Sequence, residues 1–224
     1  MKLHSQKLLY FLFISFIVHS YAQELAILKY HGGGDWYANP TALPNLIEFS
    51  NNNSNTQIKT PPSTVAVGNQ DLFNFPIVFM TGHGNVYFTD EEAVNLRNYL
   101  ISGGFLHISD NYGLDPYIRR ELTKVFPELK FQEIPDNHSI YNQTFSFKNG
   151  IPKIHEHDKK APQGFGLFYK GRLVCFYDYE TDLSDGWEDA SIHNNPQEVR
   201  LRALKMGANI IEYAFNNRPK DSNR

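Results

Sequence analysis

Histidine and carboxylate side chains stand beside glycines at the ends of three short apolar runs in this chain. His31 opens His31-Gly-Gly-Gly-Asp-Trp-Tyr37 after the run 26–30. His83 sits between Gly82 and Gly84 after 77–80, and Asp110 follows 105–108 and Ser109, with Tyr112 and Gly113 just beyond. An imidazole changes charge near neutral pH and is a common metal ligand. A carboxylate past a strand end can accept from a sugar hydroxyl, ligate a metal or act as a base. His83 and Asp110 are therefore the candidate catalytic acid and base. His31, Gly33, Asp35, Trp36, Tyr37, Gly82, Gly84, Ser109 and Tyr112 are the candidate ligand-binding residues. The plainer readings are that Asp110 caps a turn, that the histidines are satisfied within their loops, and that the aromatic rings fill core. His31, His83 and Asp110 could together hold a metal, but no spacing marks it. No metal site is assigned and no cofactor is implied.

These residues need strands that end at a common place. The runs at 26–30, 77–80 and 105–108 read as strands, and ligands of an open α/β sheet bind at the carboxyl ends of its strands. Thr89 and Glu92 form a capping box for a helix over 90–102, which Gly103-Gly104 stops. Asp115 caps a second helix, with Pro116 at its first position, that ends by Pro127. A third runs from Asn195-Pro196 to about Asn216, and an earlier one covers 44–49. Segments 164–169 and 172–178 read as a hairpin turned at Lys170-Gly171. The polar stretch 51–62 reads as a loop, and 136–160 as a long excursion with one strand near 144–147. The expected fold is α/β: a single doubly wound, mostly parallel sheet flanked by helices.

The chain has 224 residues, 41% hydrophobic and 20% charged, with a net charge of −3. These are the values of one globular domain, and the charge speaks against a nucleic-acid partner. Lys2 and Lys7, the apolar stretch 8–18 and Ser20-Tyr-Ala22 read as a signal peptide over 1–22. The domain then spans 23–217, followed by a frayed tail at 218–224. A secreted or periplasmic protein with no transmembrane segment after cleavage is expected. Cys175, the single cysteine, lies in a strand-like run and reads as a buried, inert thiol. Asp178, Glu180, Asp182, Asp185, Glu188 and Asp189 read as a solvated acidic loop, and His155-Glu-His157 as surface.

Tyr30-His-Gly-Gly-Gly-Asp-Trp-Tyr37, Thr81-Gly-His-Gly84, Leu96-Arg-Asn-Tyr-Leu-Ile-Ser-Gly-Gly-Phe-Leu106, Asp182-Leu-Ser-Asp-Gly-Trp187 and Met206-Gly-Ala-Asn-Ile210 resemble an uncharacterised bacterial domain family. It occurs in secreted proteins and at the ends of membrane-anchored ones. The resemblance runs over about 25–216 and implies a class I glutamine-amidotransferase-like, flavodoxin-like fold. A weaker similarity, including His138-Ser-Ile140, runs to trehalose-utilisation-like domains. On the amidotransferase pattern Ser109 falls where the nucleophilic cysteine would stand. Its neighbours two residues away, His107 and Asn111, are not the small residues that a nucleophile elbow needs. The resulting expectation is a non-catalytic ligand-binding or interaction module of the cell envelope, taking a small molecule, glycan or envelope protein. Its alternative is a hydrolase of saccharides or peptides that uses Asp110 and His83.

Overall fold

A computed structural model describes residues 23–156 and 159–219. The expected signal peptide, His157 and most of the expected tail lie outside the described residues. Strands β1 (Leu25–Lys29), β2 (Ser63–Ala66), β3 (Ile77–Met80), β4 (Phe105–Ser109), β5 (Gln132–Glu133), β6 (Gln163–Tyr169) and β7 (Arg172–Tyr179) form one sheet in the order β2-β1-β3-β4-β7-β6-β5. The first five in that order are mutually parallel; β6 and β5 are antiparallel additions at one edge. This is the mostly parallel, doubly wound α/β sheet expected from the alternation of strands and helices, with the strand order of flavodoxin-like folds.

The central strands are apolar throughout because both their faces are covered. Along β3, Val78 and Met80 enter one core while Ile77 and Phe79 enter the other. Helices α2 (Asp90–Ile101) and α3 (Asp115–Val125) cover the first face through Leu96, Leu100, Ile118 and Leu122. Helices α1 (Ala42–Asn53) and α5 (Gln197–Asn216) cover the second through Leu43, Leu46, Ile47, Met206 and Ile210. A short helix α4 (Ala190–His193) precedes α5.

The capping box of Thr89 and Glu92 is present in full. Asp115 is the first residue of α3 rather than its cap; Leu114 takes the cap position. Lys170 and Gly171 both have positive φ, as the tight turn between β6 and β7 demands. Helix α1 is longer than the expected 44–49. The stretch near 144–147 contributes one isolated bridge, Asn142 to Ser146, rather than a strand, and β2 is an edge strand beyond the expected set. Cys175 is buried in β7, and burial pushes its thiol up, so it is no nucleophile.

Helix α5 carries Gly207 where it crosses α1 and Trp187. A β-carbon there would come within 2.6 Å of Leu46 Cδ1 and 2.7 Å of Trp187 Cζ2. Alanine is about 0.5–1 kcal/mol better than glycine inside a helix. Overpacking a filled core costs about 1–3 kcal/mol, and the fully buried Trp187 ring has little room to yield. Gly207→Ala is expected to lower the urea unfolding free energy despite its better propensity; an unchanged or higher midpoint would refute the tight crossing.

Candidate functional site

Because β1, β3, β4 and β7 are parallel, the loops that follow them emerge at one rim. Strand β2 lies on one side of β1 and β3 on the other, so the direction of winding reverses between β1 and β3. A crevice opens at such a reversal in open α/β sheets. The loop after β1 supplies Asp35 and the loop after β3 supplies His83. The His83 backbone N–H donates to Asp35 Oδ1, and its ring Nδ1 lies 3.0 Å from Asp35 Oδ2. The side chains are 54% and 35% exposed, so the pair faces solvent. Burial pushes the Asp35 carboxyl up, but hydrogen bonds from His83 outweigh that and hold it below the usual value.

The three candidate loops do meet. Gly34 N–H donates to the Asn85 carbonyl at 3.0 Å, and Tyr87 N–H donates to that of His31 at 2.7 Å. Asn111 Nδ2 donates to Thr81 Oγ1 at 3.0 Å. Gly82 has φ +138°, and a β-carbon on it would strike the Tyr30 hydroxyl and come within 3.0 Å of the Asp35 carbonyl; only glycine lets the His83 loop lie this close. Tyr37, two residues past Asp35, and Tyr112, on the other flanking loop, are 65% and 67% exposed. Trp36 is half-buried, edge-on to Tyr37, with Lys29 Nζ 5.4 Å from its ring. Gly33 and Gly84 have open space at their α-carbons. His31 turns to Glu92 Oε1 at 3.3 Å.

Asp110 belongs elsewhere. It is 2% exposed; its Oδ1 accepts from the Tyr177 hydroxyl and its Oδ2 from the Glu180 N–H, both at 2.9 Å. His83 therefore has Asp35, not Asp110, as its carboxylate partner. The trio of His31, His83 and Asp110 is not gathered on one ion either, since each is turned to a different partner. Ser109 is fully buried. Its hydroxyl donates to Asp178 Oδ1 at 3.1 Å and accepts from the Ser184 N–H at 3.1 Å, so it is committed within the fold.

Beneath the rim lies a polar set that the sequence did not reveal as one. His107 Nε2 is 2.7 Å from Asp178 Oδ2, and Phe79, Phe176 and Trp187 surround the imidazole. Burial pushes Asp178 well above the ordinary carboxylate range, with the neighbouring Asp110 charge adding to it, and pushes His107 down to about 3. Both directions favour the uncharged pair, a protonated carboxyl beside a neutral imidazole.

The stretch 178–188 is not a solvated loop; of the six acids only Asp189 is exposed as expected. Asp178, Glu180, Asp182, Asp185 and Glu188 are all buried, because Leu183 and Trp187 anchor the segment in the core and draw its carboxylates inward with them. The turn Leu183–Gly186 presents Asp185 to Asn39 Nδ2 at 2.6 Å and His155 Nδ1 at 3.0 Å. Thr41 donates to Glu188 Oε1 through its N–H at 2.9 Å and its hydroxyl at 3.0 Å. His155 is a half-buried partner of Asp185, not a loose surface group. The alternation of acids with Leu183 and Trp187 was the signal in the sequence that this stretch is buried.

The family described as "Domain of unknown function (DUF4159)" matches residues 24–215. The chain belongs to this family. No curated protein matches it. The DUF4159 match spans every loop of the rim just described.

The proton on the His107–Asp178 pair has a consequence for stability. The fold keeps one proton there. The unfolded chain keeps two below about 3.8, one between about 3.8 and 6.5, and none above. Stability linked to this pair is thus lost as pH rises past 6.5, by at most about 1.4 kcal/mol per pH unit. Asp178→Asn keeps the hydrogen bonds without the retained proton. Above pH 6.5 its unfolding free energy should fall less steeply than that of the wild type. Equal slopes in urea titrations would show that the folded pair retains no such proton.

Proposed function

We propose that this DUF4159 chain is a non-catalytic binding module of the cell envelope whose ligand is a polyhydroxylated molecule, in the first place a saccharide. The observation that carries this is the exposed His83–Asp35 pair at the point where the sheet reverses its winding, flanked by loops that expose Tyr37 and Tyr112. A carboxylate and an imidazole offer acceptors and donors to hydroxyl groups, and tyrosine rings offer apolar faces to the C–H surface of a sugar. The internal hydrogen bonds of Ser109 and Asp110 favour binding over the hydrolase alternative. The strand order supports kinship with amidotransferase-like domains without their chemistry. Among the described residues no helix is long and apolar enough to cross a membrane. The envelope assignment rests on the signal-peptide reading of 1–22.

Two measurements test this reading. Calorimetry of the purified protein against a panel of envelope glycans should find a ligand, and His83→Ala and Tyr112→Ala should each weaken it by about tenfold, near 1.4 kcal/mol. Binding that is indifferent to both substitutions, or no binding across the panel, refutes the saccharide site; turnover of the glycan restores the hydrolase. Mass spectrometry of the protein from the cells that make it should give Gln23 as the first residue. An intact Met1 in the cytosolic fraction refutes the envelope assignment.

A further inference from the structure

A second cluster stands apart from the His83–Asp35 pair. His155 precedes the excursion's return to the sheet, Asp185 lies in the turn after β7, and His193 ends helix α4. Their donor atoms all lie within 4.8 Å of one another. Asp185 Oδ2 is 3.0 Å from His155 Nδ1 and 3.7 Å from His193 Nδ1. Two donors bonded to one tetrahedral ion at about 2.0–2.1 Å lie ~3.4 Å apart. These two distances bracket that edge and the His155–His193 edge lies within 4.8 Å, so an ion is seated by drawing the two rings together.

The surroundings of each donor match what a metal ligand needs. His155 Nε2 is 2.8 Å from Asn195 Oδ1; an N–H donated there leaves the Nδ1 lone pair directed at the cluster. The other oxygen of Asp185 accepts from Asn39 Nδ2, which fixes the carboxylate and leaves Oδ2 for the centre. Such outer partners orient ligands in metal sites. His193 supplies an independent observation. Among the described residues neither of its ring nitrogens has a hydrogen-bond partner, and its Nε2 is enclosed. Its Nδ1 separation from Asp185 is too long for a hydrogen bond yet close to the spacing of two ligands. The packing holds this imidazole against His155, with ring centroids 5.2 Å apart, where two cations would repel each other.

We propose that His155, Asp185 and His193 bind one divalent transition ion of the zinc class. Two imidazoles and one carboxylate suit zinc or its neighbours rather than calcium or magnesium, which prefer all-oxygen shells. Three protein ligands leave a position open to water or to a further group. The Asp182 carboxylate, with Oδ2 3.9 Å from His155 Nδ1, stands beside the cluster. The site joins the loops after β1 and β7 through Asn39, and it stands whether or not the glycan reading holds.

The test uses cobalt(II) as a visible probe of the chelator-treated full protein, with zinc as competitor. One cobalt per chain should give the visible absorption of a four- or five-coordinate centre, displaced by zinc, and zinc should raise the melting temperature. His193→Ala removes a largely unpartnered side chain, so the fold should survive, as circular dichroism would show. It should weaken cobalt binding by about 100-fold or more. Asn195→Ala removes only the outer partner and should weaken it by about 10–100-fold. No cobalt spectrum in the wild type, or wild-type affinity in folded His193→Ala, overturns the proposal and leaves an ordinary His155–Asp185 ion pair.

Discussion

The buried carboxyl of Asp178 ties the rim together. It ends the core of β7 next to β4, takes the His107 ring on one oxygen, and accepts the Ser109 hydroxyl and the Asp110 N–H on the other, the latter at 3.3 Å. A fully buried charge would cost far more than these bonds return, and the shared proton with His107 avoids that charge. From this point the order propagates outward. Ser109 accepts the Ser184 N–H, which seats the turn carrying Asp185. Asp110, turned inward, accepts the Glu180 N–H and fixes the chain as it leaves β7. Glu180 and Asp182 both adopt left-handed backbone angles, φ +58° and +51°, which side chains rarely take unless their surroundings impose it.

The outer pair depends on a different constraint. His83 reaches Asp35 because Gly82 lets the loop after β3 lie against Tyr30 and the Asp35 carbonyl. The loop after β1 is itself strapped to Asn85 through Gly32 and Gly34. Of the glycines read as ligand-binding, Gly82 thus has a prior duty, close approach of backbone to backbone, which Gly32 and Gly34 share, while Gly33 and Gly84 stay open. What they leave at the surface is a fixed imidazole–carboxylate pair rather than two independent side chains.

The elements that carry the sheet were legible because their signals are local. Thr89 and Glu92 cap α2 through adjacent backbone groups, Lys170-Gly171 can turn only one way, and runs such as 77–80 are apolar because both sheet faces are covered. The meeting of the three loops followed from parallel strands alone. Partnership was not legible. Nothing near Asp110 in sequence says that Tyr177 and Glu180, some seventy residues on, take its oxygens, and nothing near His83 points to Asp35. Carboxylates 178–188 looked solvated because charge is normally outside. Leu183 and Trp187 decide the matter instead, since burying an indole and a leucine carries the intervening polar groups along. Short β2 escaped because four residues at an edge, partly exposed, have little pattern to show.

The three clusters at and beneath the rim differ in how much freedom the fold leaves them. Around Asp178 every acceptor is matched, so substitution there acts on folding before it acts on anything bound. At His83 and Asp35 the groups are satisfied by each other and still open to solvent, which lets a ligand compete for them at small cost. At His193 the ring is partly exposed but its Nε2 is enclosed and unmatched among the described residues, an arrangement that costs about 1–3 kcal/mol. Asn195 Nδ2, beside it, is likewise enclosed and unmatched. Both stand at the His155–Asp185 pair, where a bound ion would draw on the His193 nitrogen that faces Asp185.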